Sequence, residues 1–211
     1  MDAMRRTPRR AVLALVAAML SGACSDPAGP VDEGRVDAVL TDAPSSSQGV
    51  ASSGAAPAPA TASGFQGRMS GSAKVEIYSE ARGWVALGSP ESASVDLQSA
   101  AEARVHGEAS APSGTYTRVR LVLSGGAADI AAGADLGGLV LGAAVRIVLG
   151  GDDGEVVVEK GVTPFTVSAT TTATVRFDLN SEAWVTRYTA ESKAAADAEI
   201  QSATTAEVVG G

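Results

Sequence analysis

From Phe65 onward the hydrophobic residues come in short alternating runs separated by Gly, Pro, Asp and Ser, and that rhythm restricts the chain to sheets. In residues 115–123 Val119, Leu121 and Leu123 share one side of an extended backbone, and Tyr116, Arg118 and Arg120 share the other, because successive side chains of a strand point to opposite faces. The same holds for Val75 and Ile77 against Lys74, Glu76 and Tyr78, and for Val175, Phe177 and Leu179 against Thr174, Arg176 and Asp178. One wet and one dry face per strand suits antiparallel sheets packed face to face, not a parallel sheet buried on both sides. The predicted fold class is all-β, a single antiparallel β-sandwich, with strands at 35–41, 73–79, 84–87, 94–97, 103–108, 115–124, 144–149, 155–160, 165–167 and 172–179. The run Gly150 to Gly154, with Asp152 and Asp153 inside it, reads as a hairpin loop.

The N-terminus has a different character. Arg5, Arg6, Arg9 and Arg10 precede an apolar run at 11–20 that ends in Ser21, Gly22, Ala23 and Cys24, the order of a secretory signal peptide. The run is shorter than the roughly 20 apolar residues a bilayer-spanning helix requires. LSGAC resembles the lipobox of bacterial lipoproteins, and Cys24 is the sole cysteine of the chain. It has no disulfide partner, and an idle thiol is a liability in an oxidising compartment. A lipidated Cys24 accounts for it better than ordinary secretion with a passive thiol. The expected layout is a signal peptide at 1–23, a tether at 24–35 and a sandwich domain at 36–187 with a disordered insertion at 45–64. A polar tail at 188–211, flexible or forming one short helix, completes it. Ser25, in place of an inner-membrane retention aspartate, directs the expectation to the outer membrane, with the lipid on Cys24 as the membrane contact.

Without the first 23 residues the formal charge falls from −8 to −11, as 12 basic and 23 acidic residues remain. Such a surface repels nucleic acid and anionic lipid headgroups, so no nucleic-acid partner is expected. Aromatic residues are only 4% of the chain, which leaves few rings for stacking sugars.

Catalytic chemistry needs a nucleophile with its base, a tuned carboxylate pair, or a metal. His106 is the only histidine; opposite Val105 in the alternation, it reads as a solvent-facing strand residue, and one histidine with a lipidated cysteine does not make a zinc site. Asp152, Asp153 and Glu155 bring three carboxylates together among glycines, which makes them a calcium candidate beside the plainer reading as a turn. Asp42, ahead of Pro44, is expected to accept backbone N–H bonds in a turn. Trp84 and Trp184 are expected as core or edge packing, or as exposed contact points. No cofactor is expected. The predicted role is a non-enzymatic structural or protein-interaction module of the cell envelope; the alternative is a module that binds glycan or calcium.

The succession VDAVLTDAP (36–44), GWVAL (83–87), SVDL (94–97), APSGTYTRVRLVL (111–123), PFTV (164–167) and TTTATVRFDLNSE (170–182) resembles the domain of unknown function 4382 of bacterial and archaeal secreted proteins and lipoproteins. LTDAP and GTYTRVRL are its most specific pieces. The resemblance covers about 36–185 and implies an immunoglobulin-like or transthyretin-like sandwich at a cell surface, with no catalytic residue to carry over.

Overall fold

The computed structural model describes residues 32–44, 65–136, 138–150, 154–188 and 197–210. Cys24, the signal peptide, the 45–64 insertion and the Asp152 and Asp153 pair lie outside the described residues. The described chain is an all-β sandwich of two sheets with two short helices.

Its elements, in order, are β1 (Glu33–Asp42), β2 (Gly67–Ser79), β3 (Gly83–Ala86), β4 (Glu91–Leu97), β5 (Ser99–Pro112), β6 (Gly114–Ile130), β7 (Val145–Val148), β8 (Glu155–Val167), β9 (Thr172–Asp178), α1 (Ser181–Tyr188), α2 (Asp197–Ala203) and β10 (Thr205–Val209). The smaller sheet runs β10-β9-β1-β5. In the larger one, β2 and β6 pair along most of their length. β3 and β4 succeed one another along the free side of β2, and β7 and β8 along the free side of β6. One pair departs from the antiparallel expectation: β1 and β9 run parallel from Arg35 opposite Thr172 to Thr41 opposite Asp178. No short turn joins two strands so far apart in sequence, so hairpin geometry does not force them antiparallel.

The alternation sorts the faces as expected in β9 and in the second half of β2. Val75, Ile77, Val175, Phe177 and Leu179 are buried with Val119, Leu121 and Leu123 in one core fed by both sheets. Tyr116 and His106 depart from their expected faces. Tyr116, expected on the wet face with Arg118, is fully buried: the β6–β8 register slips between Tyr116 and Arg118. The ring turns inward onto Phe165, 5.7 Å between centroids, and its hydroxyl donates to the Pro112 carbonyl at 2.7 Å. His106, expected to face solvent, is 2% exposed. Register shifts on both sides of the Ala38–His106 pair put Val105 and His106 inside together, since each extra residue in a strand reverses the facing of the side chains after it.

β2 and β6 are longer than their apolar patterning suggested. Their added lengths meet at a bulge where Gly71 stands opposite Gly125 and Gly126. The backbones approach so closely that a Cβ on Gly71 would lie 2.9 Å from the Gly126 Cα, and Gly125 takes a φ of 59°. Glycine is required there. The extra residue in β6 sends Ala128 and Ile130 inward and Asp129 outward.

The tail also differs from a loose terminus. Beyond α2, β10 adds to the edge of β9 in five antiparallel pairs, Thr205 opposite Asp178 through Val209 opposite Thr174. Trp184 and Val185 of α1 and Ile200 of α2 lie in the core.

Candidate functional site

At one end of the larger sheet, four strands carry a row of alternating charges across their outer face. Asp96 of β4 stands opposite Arg68 of β2, Arg68 opposite Asp129 of β6, and Asp129 opposite Arg146 of β7. Arg68 holds Asp96 through Nε at 2.8 Å and Nη2 at 2.7 Å, and Arg146 holds both Asp129 oxygens through Nη1 at 2.9 Å. These side chains are more than half exposed, so water screens each pair and each contributes about 0–1 kcal/mol to stability. Their larger effect is to give the surface a direction, negative at β4 and positive at β7.

The next row of the ladder is Leu97, Gly67, Ile130 and Val145. With the charged row it lines an open groove of about 630 Å³, within the ordinary size range of ligand sites. Gly67 is part of this geometry: a Cβ there would press on Ile130 Cδ1 at 2.8 Å and Leu97 Cδ1 at 3.2 Å.

Beside the groove, β7 pairs with β6 on one side and with no strand on the other, among the described residues. The Leu149 N–H donates to the Gly126 carbonyl, so by the period of two the N–H and C=O of Ile147 and Val145 also face β6. Those of Arg146 and Val148 therefore face the open edge. Among the described residues, three of the four exposed large hydrophobic ones lie on β7 or the segment leading to it: Val148 at 47%, Leu139 at 47% and Val140 at 63%. Singly exposed apolar residues are ordinary, but three on one free edge strand and the segment that leads into it are the kind of surface that other chains cover.

The other end of the same face is closed over itself. Arg118 lies over the Tyr78 ring at 3.8 Å and Arg120 over Trp84 at 3.9 Å. Tyr78 and Trp84 are 5.2 Å apart. Glu159 takes Arg118 at 2.8 Å and Arg120 at 3.1 Å, while Glu76 takes Arg120 at 3.2 Å and Lys74 at 2.7 Å. The two arginines do sit on the wet face, but each lies over an aromatic ring. Guanidinium groups therefore occupy the ring surfaces a sugar would use. Arg120→Ala is expected to cost about 1–2 kcal/mol in urea denaturation, because a ring contact and two shared carboxylates go together; an unchanged midpoint would show the stack to be idle.

His106 is held by Glu91, Nδ1 to Oε1 at 3.2 Å, with its ring against the Gly88 backbone, where a Cβ would meet it at 3.4 Å. Its Nε2 is buried and unpartnered among the described residues. Asp42 is fully buried and accepts the N–H of Gln98 at 2.6 Å, the N–H of Ser181 at 2.6 Å and the Ser181 hydroxyl. Burial raises its pKa, against the lowering effect of these bonds. Trp184 is core, donating Nε1–H to the Leu179 carbonyl at 3.2 Å. Of the calcium candidates, Asp152 and Asp153 lie outside the described residues, and Glu155 is exposed at the start of β8, 3.5 Å from the Ser124 hydroxyl. Among the described residues, no three His, Cys, Asp or Glu side chains are grouped to hold a metal ion.

Sequence reasoning missed the charged row. Its signals were present in SVDL and VRIV, where the charged residue sits between inward-facing ones, but nothing in the sequence states which strands adjoin. Compared with protein-family models, curated proteins and solved structures, the chain finds no match.

Proposed function

We propose that this protein is a lipid-anchored module of the bacterial cell envelope that binds other proteins by accepting a strand at the β7 edge, and that it is not an enzyme. The observation that carries the binding reading is the free β7 edge beside an open groove, with Val148 exposed on the strand and Leu139 and Val140 exposed in the segment leading to it. An extended segment added there would gain main-chain hydrogen bonds from Arg146 and Val148 and place alternate side chains toward the groove. The anchor rests on the signal-like N-terminus and lone Cys24, and membership of the domain of unknown function 4382 rests on the motif order over 36–185.

Val148→Pro removes one outward N–H without touching the bonds to β6. Affinity capture from detergent-solubilised envelope is expected to return partners with the wild-type chain and to lose them with V148P. Identical captures would overturn strand addition. Cys24→Ser is expected to move the protein from the membrane to the soluble fraction, and unchanged retention would overturn lipidation.

A further inference from the structure

Resting on the strand-addition reading, we propose that the β7 edge selects extended peptides that carry a carboxylate opposite Arg146. The charges across the sheet end alternate from Asp96 through Arg68 and Asp129 to Arg146, and the last rung is a cation at the open edge. Directly opposed side chains on neighbouring strands share a face and lie close enough for opposite charges to attract. The next strand therefore completes the alternation with an aspartate or glutamate at that register.

Arg146 is equipped for it. Its side chain is 62% exposed, and it binds Asp129 through Nη1 alone. Nη2 and Nε have no partner among the described residues. A planar guanidinium can hold one carboxylate on each of two sides. Two residues along the same face is Val148, 47% exposed, which calls for an apolar side chain two positions from the acid.

The β7 strand of a second copy does not meet these demands. A two-fold pairing of β7 with itself keeps side-chain faces matched only if its axis passes through a residue position. Arg146 then meets either Arg146 or Val148 of the other copy, and neither supplies a carboxylate. The chain's overall negative charge repels acidic peptides in general, so the selection is local to this rung and weakens as salt is added.

The test uses the full chain and three capped heptapeptides in which threonine alternates with valine, a central residue and valine, so that either strand direction presents the same face. The central residue is glutamate, glutamine or lysine. By fluorescence anisotropy the glutamate peptide is expected to bind about threefold tighter than the glutamine one, as an exposed ion pair allows, and the lysine peptide weaker than both. Arg146→Gln should erase these differences while retaining binding, and V148P should abolish binding of all three. Equal affinities for the three peptides overturn the acidic selection and leave strand addition standing. Binding of none of them, or binding insensitive to V148P, overturns strand addition and the selection with it.

Discussion

Asp42→Ala is expected to lower the unfolding free energy by about 3 kcal/mol or more. The Asp42 carboxylate joins three places in the chain: the end of β1, the turn at Gln98 between β4 and β5, and the first residue of α1. Gln98 has a φ of 57°, and its N–H points at Asp42 because the turn takes that left-handed form. Truncation would leave the Gln98 N–H, the Ser181 N–H and the Ser181 hydroxyl without their acceptor, and each buried orphan costs about 1–3 kcal/mol. A carboxylate near the start of a helix also favours the partial positive charge there. Ser181→Ala should cost less, near 1 kcal/mol, because both backbone bonds survive. Urea denaturation monitored by circular dichroism measures all of this, and a loss for Asp42→Ala below that of Ser181→Ala would refute the assignment.

The same group has an uncommon pH signature. Burial raises the folded pKa of Asp42 above the usual carboxylate value, so in the window above about 3.9 the folded state holds this proton more tightly than the unfolded one. Stability from this group therefore falls as pH rises through the window, opposite to a salt-bridged aspartate. Asp42→Asn removes the titration, so its deficit against wild type should narrow from the acid end of the window toward neutrality.

Much of the sandwich was legible because burial on one face imposes a period of two. The inward residues of β9 and of the second half of β2 come directly from it. The exceptions share a physical cause. A register shift is a relation between two strands, and neither strand's pattern alone reveals that Val105 and His106 turn inward together, or that Tyr116 parts from Arg118. The glycine-rich ends of β2 and β6 looked like loop because strand propensity is weak there. They are strand because β4 and β7 complete the pairing around them, which is tertiary context overriding local preference. The charged row at the groove obeys the same logic: Asp96 and Arg146 could be assigned to the wet face from their neighbours, but Arg68 and Asp129 lie in the ends that looked like loop, and the adjacency of all four exists only in the assembled sheet. Asp42 was expected to accept backbone N–H bonds in a local turn, whereas its donors lie 56 and 139 residues away.

The largest effect concerns the tail, which the composition had left outside the domain. A chain ending at Tyr188 is expected not to fold cooperatively. It loses Ile200, which is 1% exposed in the shared core, and filling that space with nothing costs about 2–5 kcal/mol for a buried aliphatic side chain alone. It loses β10, so the five-residue pairing along β9 opens to water and the Arg176 contact to Glu207 at 2.8 Å goes with it. The Lys160 ammonium, which donates to the Gln201 carbonyl, is also left without that acceptor. Trp184 and Val185 remain in the shortened chain but lose the helix packed beside them. Together these terms reach the roughly 5–15 kcal/mol that separates a folded domain from its unfolded ensemble. Thermal melting of the two chains, monitored by far-ultraviolet circular dichroism, decides it. A sharp transition in the shortened chain within a few degrees of the full one would show the tail to be an ornament, whereas a broad or missing transition makes α2 and β10 together part of the folded domain.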